Sequence, residues 1–294
     1  MGPVDRRRLG ANGPEISVLG IGTAPIGSGP DWIFWGAQDE AAATGAIHAA
    51  LDAGANWIDT ASFYGWGRAE EIVGRAVADR RDQVLLFTKC GTLPALNALS
   101  REDNRPEAIR ADLEASLRRL GVDYVDVLQI HDVDAETPIE DSWGEIQRLI
   151  EEGKVRWGGL SNHTVERVAA AHALAPVTTC QEQLSLLAEP DDPRVLDFVR
   201  EQGIGLLCWA PLASGFLTDD FSVDELEPDD FRRRSRLAGR GDEIEGHRSE
   251  ARAQGRTLRR HAIAWVLDQP GVTAAIVGVR DAREGAELAA LAGE

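Results

Sequence analysis

The sequence lacks the features that mark metal-binding, disulfide-rich and membrane proteins. Its three cysteines, Cys90, Cys180 and Cys208, lie in or beside apolar runs and form no CxxC pair, which argues against a zinc site and a disulfide framework. No apolar run approaches the ~20 residues of a membrane span, and turn residues rather than a signal-peptide core follow the opening MGPVDRRRLG. We therefore expect a cytoplasmic protein without a metal ion or a membrane partner.

Positive charge is also scarce. The chain has 31 Lys+Arg against 49 Asp+Glu, which gives a formal net charge of -18. A surface of this sign repels phosphate, so nucleic acids and anionic membranes are excluded as expected partners. A phosphate-bearing cofactor would need a local basic pocket. No GxGxxG follows the first predicted strand, so the Rossmann scheme of dinucleotide binding is absent too.

What the chain does contain is an alternation of short β-rich runs with longer stretches of helical spacing, typical of parallel strands joined by crossover helices. The eight predicted strands are Val18–Ile21, Asn56–Asp59, Val84–Thr88, Val125–Ile130, Val155–Leu160, Thr178–Gln181, Ile204–Trp209 and Thr273–Val277. The predicted helices include Asp39–Ala53, Pro106–Leu120 and Ile139–Glu152, each followed by a glycine. This order predicts a single (β/α)8 TIM barrel domain over residues 1–294, with its active site at the carboxyl ends of the strands.

Two segments depart from the alternation. The opening RRLGANGPEISVLG has a turn-forming Asn12-Gly13 between two short candidate strands, which predicts a β-hairpin closing one end of the barrel. After the seventh strand, Leu212–Glu250 is too long for a simple connection and carries the basic run FRRRSR. Long connections in compact domains are usually functional or disordered, and we expect this one to be a lid.

Four polar residues stand at or just beyond the ends of predicted strands, where a barrel gathers them at one mouth. They are Asp59 and Tyr64 in DTASFYG, Lys89 in LLFTKC and His131 in LQIHDVD. An acid, a neighbouring cation, a phenol and an imidazole can together protonate a carbonyl oxygen. The sequence therefore predicts an enzyme.

At these residues the chain resembles the aldo-keto reductases. The resemblance runs nearly end to end, through LGANGPEISVLGIGTAPIG, DTASFYGWGRAEEIVG, FTK, SLRRLGVDYVDVLQIH, GKVRWGGLSN, WAPLASGFLT and IAWVLDQPGV. It implies a (β/α)8 oxidoreductase that transfers a hydride between NADP(H) or NAD(H) and a carbonyl or alcohol. GTAPIGS and the bulky segment after it resemble the bacterial sugar-dehydrogenase branch, of which D-threo-aldose 1-dehydrogenase is an example.

The resemblance implies a role for each of the four polar residues. Tyr64 would be the general acid in reduction and the general base in oxidation. Because a phenol with a pKa near ~10 exchanges protons poorly at neutral pH, Lys89 is expected to lower that pKa while Asp59 keeps Lys89 cationic. His131 would donate a hydrogen bond to the substrate carbonyl and position it.

The same resemblance implies a set of cofactor contacts. Amides and a hydroxyl would hold the nicotinamide carboxamide, an indole would stack on its ring, and the turn over Leu212–Thr218 would wrap the pyrophosphate. The implied cofactor-binding residues are Gly22, Thr23, Asp59, Ser161, Asn162, Gln181, Trp209, Pro211, Leu212, Gly215, Leu217, Arg233, Gly278, Arg280 and Glu284.

The chain also departs from the family pattern. Leu184 in QEQLSLL stands where the family often has tyrosine. In the turn that holds the adenosine 2′-phosphate in the family, Arg280 and Arg283 favour a phosphate, whereas Asp281 and Glu284 oppose it. NADP(H) is favoured because most of the family prefers it, and NAD(H) is the alternative.

Aromatic residues surround the predicted tyrosine and suggest the substrate site. The expected substrate-binding residues are Trp32, Trp35, Phe63, Tyr64, Trp66 and His131, with Phe34 in the same first loop. An aromatic wall suits sugars as well as apolar rings, so a sugar lactol, an aromatic aldehyde and a terpenoid or polyketide ketone remain open. We expect a small-molecule partner and a monomer or small homo-oligomer.

Two other functions fit the same residues. One is a cofactor-binding regulatory subunit without turnover, and the other is a Schiff-base lyase that uses Lys89 as its nucleophile. The intact set of four polar residues argues against the first, and a Lys89 held charged by Asp59 argues against the second.

Overall fold

The protein forms a closed barrel of eight parallel strands. The computed structural model describes residues 4–29, 33, 35–95 and 98–292. The barrel strands are Leu19–Gly22, Trp57–Asp59, Leu85–Cys90, Val125–Ile130, Val155–Ser161, Thr179–Gln183, Gly205–Trp209 and Val272–Gly278. The last strand pairs with the first, with Ala275 opposite Leu19 and Gly278 opposite Gly22. The (β/α)8 prediction is confirmed, and every predicted strand boundary lies within two residues of the observed one.

Helices surround the strands. The described α-helices are Glu40–Asp52, Arg68–Val77, Pro106–Leu120, Ile139–Glu151, Val165–Leu174, Arg194–Gln202, Gly241–Ala253, Leu258–Leu267 and Ala282–Ala292. Asp39, predicted as the first residue of a helix, instead caps it by accepting a hydrogen bond from the Ala42 backbone. The helix Pro106–Leu120 starts with proline and ends at Gly121, whose left-handed φ of 67° suits a residue without a side chain.

The barrel sheet has a layer of apolar side chains on each face, because successive residues of a strand point to opposite sides. Ile58 and Leu86 point outward and pack with helix residues. Trp57 and Phe87, their neighbours in sequence, point inward and fill the barrel, their ring centroids 4.9 Å apart. A Cβ at Gly20 would lie 2.2 Å from the Trp57 ring, so glycine there makes room for the indole.

The predicted N-terminal hairpin is present and closes the amino-terminal end of the barrel. Its strands, Arg6–Arg8 and Glu15–Ser17, pair antiparallel. Leu9 and Ile16 are fully buried and belong to the same apolar cluster as Trp57. A second hairpin, which the sequence pattern did not predict, joins Thr92–Pro94 with Ser100–Glu102.

The long connection after the seventh strand is folded rather than extended. It contains the short 3-10 helices Ala213–Gly215, Val223–Glu225, Phe231–Arg234 and Arg236–Gly239, followed by the helix Gly241–Ala253. Phe216 and Leu217 anchor it in an apolar cluster with Leu258 and Ala262 of the next helix. Among the described helices, none is long and apolar enough to cross a membrane.

Candidate active site

Three of the four predicted catalytic residues meet at the carboxyl ends of neighbouring strands through one ammonium group. Lys89 Nζ donates to Asp59 Oδ1 at 2.5 Å, to the Thr60 carbonyl at 3.1 Å and to Tyr64 Oη at 3.1 Å. Asp59 ends one strand, Lys89 lies on the next, and Tyr64 lies in the turn after Asp59. The parallel barrel thus brings together residues that are up to 30 positions apart.

Lys89 is a buried cation, 1% exposed. Burial alone lowers its pKa, but the charge of Asp59, with further contributions from Tyr64 and the hydrogen bonds to both, raises the pKa above its usual value. Lys89 therefore keeps its proton. A permanently charged ammonium can stabilise negative charge on the phenol oxygen.

The Tyr64 pKa differs from expectation. Burial raises it, and the attraction of Lys89 opposes this effect without overcoming it. Lys89 lowers the Tyr64 pKa in the expected direction, but desolvation and the Asp59 charge outweigh it, so the net pKa lies above the ordinary value. Tyr64 is a neutral phenol at neutral pH, which is the state that a proton donor needs.

His131 stands beside this group as a neutral imidazole. Its ring centroid lies 5.8 Å from that of Tyr64 and 5.7 Å from that of Phe63, edge to face in both cases. Burial, reinforced by the charge of Lys89, holds its pKa well below the ordinary value. Its Nδ1 atom is buried, with no hydrogen-bond partner in the described part of the chain. A neutral imidazole can donate a hydrogen bond without bringing a second charge to the site.

Hydrogen bonds among Gln129, Asn162, Gln181 and Trp209 fix the side chains around the catalytic residues. Gln181 Nε2 donates to Asp59 Oδ2 at 2.8 Å and to Gln129 Oε1 at 3.3 Å. Trp209 Nε1 donates to Asn162 Oδ1 at 3.0 Å, while Asn162 Nδ2 donates to the His131 carbonyl at 3.2 Å. These bonds set the planes of the amides and the indole. Gln129 was not predicted, although a glutamine in the buried strand VDVLQI is a recognisable signal.

These side chains border a cavity of about 620 Å³. Most of the predicted site residues line it, namely Gly22, Thr23, Trp35, Asp59, Phe63, Tyr64, His131, Ser161, Asn162, Gln181, Trp209, Pro211, Leu212, Gly215, Gly278, Arg280 and Glu284. Lys89 lies behind the wall, in contact with Asp59 and Tyr64. One cavity thus extends from the catalytic residues to the turn after the last barrel strand, which carries Arg280.

Other predicted residues take different positions. Trp66 packs edge-on against Phe63, with ring centroids 5.2 Å apart, and Leu217 is buried in the apolar cluster around Phe216. Arg233 donates to the carbonyls of Val223 and Leu226 instead of lining the cavity. Trp32 and Phe34 lie outside the described residues.

Within the FRRRSR run, Arg232 lines the cavity, whereas its neighbour Arg233 does not. Arg232 pairs with Asp230 at 2.6 Å and lies over the Trp35 ring, 5.7 Å from its centroid. The cavity is also lined by Ser214 and Thr218 of the predicted phosphate turn and by residues not predicted from sequence, namely Ala24, Pro25, Ile33, Ala210, Asp220, Phe221, Ser222, Glu225, Leu226, Phe231, Arg259, Ile276, Val277 and Leu291. The many contributions from residues 214–232 show that the long connection forms part of the cavity wall.

Comparison with known proteins agrees with this geometry. The model of the aldo/keto reductase family matches residues 18–292. The chain belongs to the aldo/keto reductase family. It is 34% identical over 278 residues to the aldo-keto reductase YhdN of Bacillus subtilis, a match that covers 91% of this chain and 82% of that protein.

Solved aldo/keto reductases have the same fold. The glycerol dehydrogenase AKR11B4 from Gluconobacter oxydans is 33% identical, with a TM-score of 0.82 over 98% of this chain and 90% of its own. The aldo-keto reductase AKR11C1 from Bacillus halodurans, in its holo form, is 22% identical, with a TM-score of 0.81 over 99% and 91%. Aldo/keto reductases act on small carbonyl compounds with nicotinamide cofactors, and membership makes this chain an oxidoreductase.

Proposed function

We propose that this aldo/keto reductase transfers a hydride between NAD(P)H and the carbonyl or alcohol carbon of a small molecule, with Tyr64 as general acid and base. The observation that carries the proposal is the Lys89 ammonium, which is bonded to both Asp59 and Tyr64 at the cavity wall. A buried cation and a buried acid in contact with a half-buried phenol beside an open cavity are the arrangement typical of a functional site.

The cavity suits a nicotinamide cofactor. Gly22 lines the cavity without a side chain, and a Cβ there would lie 2.9 Å from the Ile276 side chain. Arg232, Arg259 and Arg280 line the same cavity, each beside a carboxylate, and are the candidate partners for phosphate groups on this acidic protein. We propose that Ser161, Asn162, Gln181 and Trp209 hold the nicotinamide end and that the turn over Leu212–Thr218 holds the phosphates.

Each catalytic residue then has one task. The bound cofactor supplies or accepts the hydride. In reduction, Tyr64 gives its phenolic proton to the carbonyl oxygen, and Lys89 stabilises the negative charge left on the phenol. His131, which is neutral, donates a hydrogen bond to the same carbonyl oxygen. In oxidation, the phenolate of Tyr64 takes the proton back from the alcohol.

The substrate proposal rests on the aromatic part of the wall. Trp35 and Phe63 border the cavity beside Tyr64 and His131. Aromatic faces contact the C–H groups of sugars as well as flat apolar rings. We propose an aldehyde, a ketone or a sugar lactol as substrate, and the similarity to a glycerol dehydrogenase adds small polyols to the alcohols worth testing.

The preferred nucleotide is a finer proposal. We propose NADP(H), since three arginines line the cavity. NAD(H) is the second candidate, and a specific observation favours it: the Arg280 guanidinium is bound by Glu284, with Nη2 to Oε1 at 2.7 Å. A 2′-phosphate at Arg280 would have to displace that carboxylate.

The test is turnover and binding with the purified chain. We expect NADPH or NADH to be oxidised when a panel of aldehydes, ketones and sugars is added, and the tryptophan fluorescence of the chain to be quenched by the preferred nucleotide. Quenching without turnover of any panel member would favour the regulatory subunit. Borohydride trapping of a substrate on Lys89 would favour the lyase, although the net raised pKa of this lysine makes it a poor nucleophile.

A further inference from the structure

Two histidines and a glutamate form a compact cluster away from the cavity. His247 and Glu250 lie one turn apart on the helix Gly241–Ala253, and His261 lies on the next helix, Leu258–Leu267. His247 Nδ1 is 3.3 Å from Glu250 Oε2, and His261 Nε2 is 3.7 Å from the same oxygen. The three possible ligand atoms all lie within 4.8 Å of one another.

We propose that His247, Glu250 and His261 bind one divalent transition-metal ion of the zinc class. Zinc holds nitrogen and oxygen ligands at about 2.0–2.2 Å in a tetrahedron, whose edges are then about 3.3–3.6 Å long. The two distances to Glu250, 3.3 and 3.7 Å, lie within about 0.1 Å of such edges. The ligand nitrogens of the two imidazoles lie no more than 4.8 Å apart.

The donor set also selects the kind of ion. Imidazole nitrogen is a ligand for zinc, copper, nickel and iron, whereas Ca²⁺ and Mg²⁺ require mostly oxygen ligands. Two imidazoles and one carboxylate leave the fourth tetrahedral position open. The Glu250 side chain is 62% exposed, so water can reach that position.

The arginines on the same helix do not form ion pairs with Glu250. The helix Gly241–Ala253 carries two arginines, Arg248 and Arg252, and both pair with Glu245 rather than with Glu250. In the described part of the chain, Glu250 has ion-pair contacts with the two histidines alone. Its carboxylate therefore need not break a bond to arginine in order to bind a metal ion.

An ion at this site would join two helices that hold the long connection in place. Arg248 on the first helix donates to the Asp219 carbonyl at 3.0 Å, and the Leu258 backbone on the second donates to Asp219 Oδ1 at 3.0 Å. Asp219 follows Thr218, which lines the cavity. The ion would thus tie together the two helices behind the cavity wall without touching the catalytic group.

The experiment measures metal binding to the chelator-treated full chain by calorimetry and thermal denaturation. We expect one Zn²⁺ per chain and a rise in Tm of roughly 5 °C when free Zn²⁺ is about a hundred times the Kd. Mg²⁺ and Ca²⁺ should produce no such shift. Co²⁺ in place of Zn²⁺ should give the intense visible absorption of a tetrahedral site.

Variants decide whether these residues are the ligands. His247→Ala and Glu250→Gln should each weaken Zn²⁺ binding by roughly 100-fold or more and abolish the Tm shift. Asp242→Asn, in the exposed first turn of the same helix, should keep both, which makes it the matched control. Full Zn²⁺ binding by His247→Ala and Glu250→Gln, a comparable shift with Mg²⁺, or no Zn²⁺ binding by the parent chain would overturn the proposal.

Discussion

At the residue scale, burial and charge compete for the proton of Tyr64. Burial raises the phenol's pKa, whereas the Lys89 ammonium 3.1 Å away attracts negative charge to the phenol oxygen. The result is a neutral phenol that still has a cation in contact to stabilise its anion. This arrangement suits a donor that must first hold a proton and then release it.

Removal of the phenol hydroxyl should affect catalysis alone. We predict that Tyr64→Phe lowers kcat for carbonyl reduction by roughly 10²–10⁴-fold, because the proton donor is lost. The control is Tyr124→Phe, since Tyr124 is the chain's only other tyrosine and bonds Arg156 away from the cavity. Steady-state kinetics of both variants check this, and a fully active Tyr64→Phe would refute the assigned mechanism.

The pH profile should report the same phenol. Reduction needs protonated Tyr64, whose pKa is raised above 10.0, so the rate should stay constant through neutral pH and fall only in strongly alkaline solution. Oxidation needs the phenolate and should become faster with rising pH. Because the His131 pKa lies well below 6.5, neither pH profile should show an inflection near pH 6.5. Measurement of kcat against pH for reduction and for oxidation tests these two profiles. A kcat for reduction that falls near neutral pH would contradict the assignment to Tyr64.

The nucleotide preference should depend on one carboxylate. Glu284→Gln frees Arg280 for a 2′-phosphate, so we predict that the affinity for NADPH relative to NADH rises by about ten-fold, the contribution of one charge-assisted hydrogen bond. Fluorescence titrations with both nucleotides measure the ratio. Glu114→Gln, which breaks an ion pair with Lys154 elsewhere, is the control and should leave the ratio unchanged.

At the element scale, the N-terminal hairpin acts as the floor of the barrel. Leu9 is fully buried against the inward-facing side chains of the strands. We predict that Leu9→Ala lowers the free energy of unfolding by about 2–5 kcal/mol, because it leaves a cavity under the barrel. Urea denaturation measures the loss. Leu174→Ala, at a position that is 58% exposed, should cost little, and equal losses in the two variants would contradict this role.

Elements differ in how far their sequence predicts them. The strand Val125–Ile130 and the helix Pro106–Leu120 have the predicted boundaries, since an apolar run and a proline-to-glycine frame are local signals. The hairpin of Thr92–Pro94 and Ser100–Glu102 has no such pattern. Three of the four 3-10 helices in the long connection contribute to an apolar cluster with Leu258 and Ala262, so their formation depends on residues far along the chain. The lid role of this connection stays a prediction.

At the scale of the whole molecule, barrel closure makes the ends of the chain interdependent. The strand Val272–Gly278 pairs with Leu19–Gly22, so an incomplete barrel would expose two unpaired edges. We propose that residues 1–294 form one domain and predict a single unfolding transition in urea. Far-ultraviolet circular dichroism and the fluorescence of the eight tryptophans should change together. Two separated transitions would show that part of the barrel is stable alone.

The sequence by itself determined the order of strands and helices and the four catalytic candidates, because apolar periodicity and strand-end positions are local properties. Tertiary structure decided the rest. The pKa of Tyr64 depends on how deeply it is buried, and the choice of Arg232 over Arg233 for the cavity depends on the direction of each side chain. The His247, Glu250 and His261 cluster likewise exists only because two helices pack side by side. Burial and distance across the chain are set by packing, which no run of neighbouring residues specifies.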